Sequence, residues 1–258
     1  MSAGNPFDTL ADAFTTKIYG SLKGQLRLEG LRRDLCEAVG CDRLEAAPAA
    51  LTVLDVGAGD ARLSAELAEA GCALTVVEPS RALRERARAR LSGVSRVAWV
   101  EAPWETVAGT LGQFDVVLVH AVLEWLADPV AVLPSLAEAV APGGWLSVAF
   151  YNRHGIVMRN LAKGNLRKVE RGDFSGMAGG LTPRHAFEPE QLRSMLEGLG
   201  LETRIWSGLR TFYDFIPRHV RAKLNADDIR RLEARFSRQD PYRQLASYQH
   251  LLLHRPAG

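Results

Sequence analysis

The 258-residue chain is 47% hydrophobic and 24% charged with a net charge of +2, a composition that builds one substantial core and excludes a disordered or fibrous polypeptide. Its three cysteines, Cys36, Cys41 and Cys72, are odd in number and lack C-x-x-C spacing, which argues against a disulfide framework and against a zinc site and fits a reducing cytosol. No basic flank leads into an apolar core near residue 1, and the apolar run from Val116 to Leu126 is broken by His120 and Glu124, so neither an export signal nor a membrane span is expected.

Two helical patterns come first, Pro6 to Lys17 and Leu22 to Val39, and together they make residues 1–45 a helical extension laid on a later sheet. Lys23 and Arg27 share one face of the second helix at i and i+4. Two roles are open to Arg27: a solvated charge beside Lys23, or a fork that grips a ligand carboxylate at the mouth of a cleft.

The stretch Leu51 to Gly59, LTVLDVGAG, reads as a buried strand that ends at Asp55 and turns through Gly57, Ala58 and Gly59 into a helix from Ala61 to Ala70. Glycines at a strand's carboxyl end let a ligand approach the backbone, and that crevice is where open α/β sheets bind ligands. A dinucleotide fingerprint would require a third glycine where Arg62 stands, and the carboxylate of Asp55 would repel a pyrophosphate. A cofactor with an ammonium group and no phosphates fits better, and that cofactor is S-adenosylmethionine (SAM). The next strand, in CALTVVEPS, ends at Glu78, 19 positions past Gly59, where an α/β nucleotide fold hydrogen-bonds a ribose diol.

A helix from Arg81 to Leu91 and a strand from Val97 to Val100 follow, closed by Pro103, Trp104 and Glu105. Trp104 is either an adenine platform or a core ring. The fourth strand, Asp115 to Val119, delivers His120 to the ligand crevice. A helix from Val130 to Val140, a stop and turn at Pro142-Gly143-Gly144, and a fifth strand from Trp145 to Tyr151 bring the count to five β-α units, an α/β sheet with right-handed crossovers. The cofactor-binding core thus spans residues 50–151.

Residues 152–187 interrupt the alternation and are rich in Gly and basic groups, among them Arg153, Arg159, Lys163, Arg167, Lys168 and Arg171. This basic insertion is a candidate lid or substrate platform. A helix from Pro189 to Leu199, a strand from Glu202 to Ser207, a helix between Asp227 and Ser237 and a strand from Gln249 to His254 complete residues 188–258 within a single domain, and the absence of a crossover pattern leaves an antiparallel terminal strand open. Charge divides unevenly: residues 1–150 hold 13 Lys and Arg against 19 Asp and Glu, net −6, and residues 151–258 hold 19 against 11, net +8. A basic second part suits a nucleic-acid surface, although Arg-rich solvated helices give the same count.

The segments IYGSLKGQLR, VLDVGAGDARLS, HAVLEWLADP, PGGWLSVAFYNRHG, KGN, SGLRTFYDF and RQDPY with the following YQH resemble the class I SAM-dependent methyltransferases and, within them, the tRNA 5-carboxymethoxyuridine methyltransferases. The resemblance implies a Rossmann-like, seven-stranded, mostly parallel sheet with a reversed last strand. It also implies methyl transfer to the carboxylate of a modified wobble uridine, a tRNA anticodon loop as partner, and no metal. The family's SAM contacts fall on Arg27, Gly57, Ala58, Glu78, Pro103, Trp104 and His120, to which the residue pattern adds Asp55 and Gly59. Ala58 stands where glycine is common and Glu78 where aspartate is usual, both role-preserving; Trp104 replaces a small polar residue and leaves the adenine contact open. Tyr151, ending the fifth strand, and Arg210, inside the aromatic segment LRTFYDF, are the candidate groups that orient the acceptor carboxylate, with Tyr213 or Phe215 as stacking faces for the base. A methyltransferase of a small carboxylic acid or amine would not need the basic insertion, and a non-catalytic SAM- or RNA-binding scaffold would not need the cofactor contacts together with Tyr151.

Overall fold

The β-α alternation read from the sequence builds one sheet. The computed structural model describes residues 21–40, 51–172, 174 and 184–258; the helix expected over Pro6 to Lys17 and the stretch 175–183 of the basic insertion lie outside them. Helix α1, Leu22–Leu35, ends in a π turn at Cys36–Gly40. Then come β1 Thr52–Val56, α2 Arg62–Glu69, β2 Ala73–Val77, α3 Arg81–Arg90, β3 Val97–Val100, the short α4 Trp104–Val107, β4 Phe114–His120, α5 Leu133–Glu138 and β5 Val140–Tyr151. After β5 the chain forms α6 Arg153–Ala162, α7 Leu166–Glu170, α8 Pro189–Glu197, β6 Glu202–Leu209, α9 Arg218–Arg221, α10 Ala226–Phe236, α11 Tyr242–Leu245 and β7 Tyr248–His254.

The strand order is β3-β2-β1-β4-β5-β7-β6. Strands β1 to β5 pair in parallel with one another, while β7 runs antiparallel to both β5 and β6. The fold is therefore the Rossmann-like class I methyltransferase architecture with one reversed strand. Register follows from alternate burial. In β1, Val53 belongs to one apolar cluster and Leu54 and Val56 to the other; in β4, Val116 and Leu118 face one way and Val117 and Val119 the opposite way. One cluster is closed by Leu31 and Leu35 of α1, Leu63 and Leu67 of α2 and Ala87 of α3, the other by Trp104, by Leu133 and Leu136 of α5, and by Leu192 and Leu196 of α8. Full burial of each such aliphatic side chain contributes about 1.5–3 kcal/mol, so shifting β1 by one residue would forfeit both clusters at once.

Two elements depart from expectation. The helix expected over Val130 to Val140 shortens to α5, whose first turn carries Pro134, and Val140 already belongs to β5. Pro142-Gly143-Gly144 is not a free turn but an irregular stretch within β5, where the register against β4 shifts and the N–H of Gly143 donates to Arg255 O at 2.8 Å. A positive φ of 77° at Gly143 gives the bend its residue type. The basic insertion, read as a break in the alternation and a candidate lid or substrate platform, starts with two helices. Asn152 caps α6 by accepting from the His154 N–H at 3.0 Å, and its amide donates to Gln244 O and Ala246 O, both at 2.7 Å, which ties the insertion to the turn before β7.

Candidate active site

The carboxyl ends of β2, β1, β4 and β5 and the start of the reversed β7 lie side by side along one edge of the sheet, followed by the end of β6. In this row Tyr151 pairs with Tyr248 and Tyr248 with Leu209. Three residues other than glycine adopt left-handed backbone angles among the described residues, Ala61 (φ 53°), Ala121 (φ 60°) and Arg210 (φ 62°). All three sit just past this edge, in the loops after β1, β4 and β6. Such positions cost about 1–3 kcal/mol each and persist where the surroundings fix them.

At the β1 end the glycine turn is held from below. Gly57 has φ 64° and Gly59 φ 60°, and a Cβ on Gly57 would lie 2.6 Å from Val122 Cγ2. Gly57 N–H donates to Val77 O at 2.8 Å, and Ala58 is half-buried beside it. Glu78 bridges two loops: one carboxylate oxygen accepts from Gly59 N–H and the other from Ser80 N–H, both at 2.8 Å. Asp60, buried under the turn, accepts from Arg62 and Arg90, each at 3.0 Å. Asp55 is buried too; desolvation pushes its carboxyl up to about 7, the nearby Ser64 hydroxyl opposing this and the charges of Glu78 and Asp60 adding to it. An acidic, positively strained turn of this kind attracts a cationic group and admits close backbone contact.

At the β5-β7 end the character reverses. The Tyr151 ring lies against Tyr248, centroids 4.3 Å apart and tilted 57°. The guanidinium of Arg27 sits 5.4 Å and that of Arg210 5.0 Å from the Tyr248 ring centre. Both arginines are buried, so the solvated pairing of Lys23 with Arg27 does not form and neither does an exposed Arg210. Lys23 instead pairs with Asp214 at 2.5 Å, and Arg210 Nε donates to Asp214 Oδ2 at 2.9 Å. Burial opposes ionisation of Asp214, but the charges of Arg210 and Lys23 and the hydrogen bonds from Lys23 and Ser247 outweigh it and hold the carboxyl below its ordinary range. The loop after β6 is clamped by Glu233 of α10, whose oxygens accept from Thr211 N (2.6 Å), Thr211 Oγ1 (2.8 Å), Phe212 N (3.2 Å) and Tyr213 N (2.8 Å).

Between the two ends stands His120. Its Nε2 lies 2.7 Å from Ser147 Oγ, and burial, with the positive charge of Arg27 nearby, depresses its pKa well below the ordinary value. Glu124, in the 3-10 turn after β4, is wholly buried: Oε1 accepts from Tyr151 N–H at 3.0 Å and Oε2 has no hydrogen-bond partner. Pro103 is exposed at the N-terminus of α4. Trp104 takes the core role of the two that were open to it: it is 4% exposed within the apolar cluster, and its indole N–H donates to Ser135 Oγ at 2.9 Å.

Arg27, the glycine turn, Glu78, His120, Tyr151 and Arg210 are thus brought to one edge, whereas the Trp104 ring is committed to packing. Sequence reasoning missed Glu124, Asp214 and Tyr248. For Glu124 and Asp214 a signal exists: a carboxylate four residues past His120 inside the apolar HAVLEW, and an acid four residues past Arg210 in LRTFYDF. Tyr248 lies in the YQH segment but no spacing ties it to the crevice, since only the insertion of β7 between β5 and β6 brings it to the edge. SAM fits these residues. The acidic turn and the left-handed glycines suit an amino-acid tail and a close nucleoside, and the orphaned Oε2 of Glu124 marks a polar position that protein atoms leave unfilled. Among the described residues no group of three or more His, Cys, Asp or Glu is placed to hold a metal ion, and no helix is long and apolar enough to cross a membrane.

Comparison with known proteins agrees with this layout. Residues 54–146 match the methyltransferase domain family. The chain is 35% identical over 254 residues to tRNA 5-carboxymethoxyuridine methyltransferase of Escherichia coli (strain K12), covering 97% of this chain and 96% of that one. It is 34% identical over 187 residues to ubiquinone biosynthesis O-methyltransferase of Rhizobium leguminosarum bv. trifolii (strain WSM2304), with 69% of each chain covered. Among solved structures, magnesium protoporphyrin IX methyltransferase from Synechocystis PCC 6803, with bound SAH, superposes with a TM-score of 0.60 at 17% identity over 96% of both chains, a likeness of fold.

Proposed function

Because the chain belongs to the tRNA 5-carboxymethoxyuridine methyltransferase family and is a SAM-dependent methyltransferase, we propose that it methylates the carboxylate of 5-carboxymethoxyuridine at the wobble position of tRNA, giving the methyl ester. Two features support this. The relationship to the Escherichia coli protein runs through the insertion and the C-terminal segment as well as the cofactor half. The observation that carries the acceptor assignment is the pair of buried guanidiniums, Arg27 and Arg210, on the Tyr248 ring beside Tyr151. They place positive charge at the end of the crevice opposite the acidic glycine turn.

In this proposal Asp55, Gly57, Ala58, Gly59, Glu78 and His120 hold the cofactor, with Arg27 between cofactor and acceptor, and Tyr151 and Arg210 orient the acceptor carboxylate. A carboxylate is ionised at neutral pH, its ordinary pKa lying near ~4, so no general base is needed. Bound SAM supplies an electrophilic methyl group whose bond to sulfur breaks, the electron pair passing to sulfur, as the new oxygen–carbon bond forms. The chain's own work is orientation, worth roughly 7–11 kcal/mol when reacting atoms are held in line, and Asp214 and Glu233 serve it by fixing Arg210 and its loop. The wobble base leaves the anticodon stack to reach this edge. One face of Tyr213 is covered by Arg221, 4.9 Å from the ring centre, and a base would stack on the other. Lys163, Arg167 and Arg171 are exposed along α6, α7 and the turn beyond, where tRNA phosphates would pass.

The test uses methyl-labelled SAM and tRNA that already carries the carboxymethoxy group. Mild alkali should release the label as methanol, and unmodified transcript should stay unlabelled. Alkali-stable label, or brisk labelling of the unmodified transcript, overturns carboxyl methylation and leaves the methyltransferase itself intact.

A further inference from the structure

The hydrogen bond from His120 into the sheet is the first of a buried series. Ser147 Oγ, which meets His120 Nε2 at 2.7 Å, also lies 2.9 Å from His250 Nε2, and His250 Nδ1 lies 2.8 Å from Asp34 Oδ2. The other oxygen of Asp34 accepts from Arg238 Nη2 at 2.7 Å and Arg33 Nη2 at 3.0 Å. Ser147, His250 and Asp34 are 0% exposed. Between Asp34 and Ser147 the series therefore crosses from α1 through β7 to β5 without meeting solvent, and it reaches the crevice at His120 on β4.

Proton placement follows from the end that cannot donate. Asp34 is ionised: burial opposes this, but the hydrogen bond with His250 and the guanidiniums of Arg33 and Arg238 outweigh it. An ionised carboxylate only accepts, so Nδ1 of His250 must carry a proton. The charge of Asp34 is already matched by two guanidiniums, and a second proton on His250 would leave an unmatched cation in a dry interior. His250 Nε2 is then a lone pair and takes the Ser147 hydroxyl proton. Ser147 Oγ is left to accept, which requires His120 to carry its proton on Nε2. Its Nδ1 is bare, and it makes no hydrogen bond among the described residues.

We propose that Asp34, His250 and Ser147 form a tautomer-setting relay that fixes His120 as a neutral Nε2–H imidazole, so that its Nδ1 lone pair accepts from a hydrogen-bond donor of SAM. Asp34, His250 and Ser147 are positioning residues: none reaches the crevice, and they act by deciding which ring nitrogen His120 presents. The proposal rests on His120 touching the cofactor but not on the identity of the methyl acceptor.

Two measurements test it. In protein labelled with ¹⁵N-histidine, free of ligand and with the six histidines assigned by single His→Gln variants, two-bond ¹H–¹⁵N correlations should show His120 as the Nε2–H and His250 as the Nδ1–H tautomer. A His120 protonated on Nδ1, or a His250 protonated on both nitrogens, reverses the relay and overturns the proposal, with no variant needed. Ser147→Ala should release His120 from a single tautomer and weaken calorimetric SAM binding by about three- to tenfold, the scale of one net hydrogen bond. Ser147→Cys, which keeps a weak donor, should recover part of both effects. Loss of the tautomer preference with SAM affinity unchanged would show that His120 does not read the cofactor. None of these outcomes bears on whether the tRNA product is alkali-labile, so the relay and the acceptor assignment can fail separately.

Discussion

Replacing Glu124 by Gln should make the ligand-free protein more stable at pH 8 and leave it nearly unchanged at pH 4. Burial, against the weaker pull of the hydrogen bonds from its own N–H and from Tyr151 N–H and of the Arg27 charge, raises this carboxyl from 4.5 to about 7. A folded-state pKa above the unfolded one means that the contribution is fully present below about pH 4.5 and is lost as pH rises through 7. At roughly 1.4 kcal/mol per pH unit the raised pKa corresponds to about 3 kcal/mol of stability that the wild type gives up between pH 4 and pH 8. Gln keeps the acceptor for Tyr151 N–H and has no proton to lose. Urea unfolding at half-unit pH steps should therefore give two curves that coincide at the acid end and diverge towards pH 8. Asp55, also pushed up to about 7, should impose the same downward slope on both proteins and cancel from the difference. Parallel curves over the whole range would refute the claim that burial raises the Glu124 carboxyl.

Three further outcomes follow from the same coordinates. Gly57→Ala should destabilise the fold by more than the roughly 1–2 kcal/mol of a left-handed alanine, because its Cβ would also meet Val122 at 2.6 Å; a retained SAM dissociation constant and melting temperature would contradict this. Glu233→Gln points an amide at one or more of the three N–H groups its carboxylate now receives, and at about 1–3 kcal/mol per orphaned buried donor it should lower the urea midpoint and slow methyl transfer more than it weakens SAM. Affinity for tRNA should fall steeply with salt, and replacing Lys163, Arg167 and Arg171 together by Ala should reduce the slope of log K against log salt by up to ~2–3, with an unaltered slope leaving them as solvated charges.

The fold was legible because its signals are local. A hydrophobic run that stops at an acid and two glycines announces β1 and its turn, and helix periodicity between successive runs forces parallel strands. Arg27 shows where local reasoning ends. Its i, i+4 partner suggests a solvated face, but α1 packs over β6 and β7, so tertiary contact buries the residue against Tyr248, more than two hundred positions away. The start of β5 was misplaced for a related reason, since Pro142-Gly143-Gly144 has turn chemistry and only the neighbouring β4 and the Arg255 backbone keep it in the sheet. Trp104 stands after a strand end, as an adenine-binding ring would, and the partner that decides its role, Ser135, lies on another element. Asp34, Ser147 and His250 have no common spacing at all.

Among the described residues β6 pairs with no strand but β7, so the sheet cannot grow outward past β5 in the order of the chain. Strand β6 must wait, unpaired, until residues 248–254 have threaded in between. That closure spans about a hundred residues from the end of β5, and loops of this length are slow to close even though each doubling adds only about 0.6 kcal/mol. The same threading event delivers Tyr248 to the arginines and His250 to Asp34. Completion of the sheet and completion of the crevice are therefore one kinetic step, and a chain arrested before it would hold the glycine turn but lack both the aromatic end and the buried imidazole. Pulse-labelled hydrogen exchange during refolding should show the amides of β5, β6 and β7 gaining protection together, after those of β1, β2 and β4.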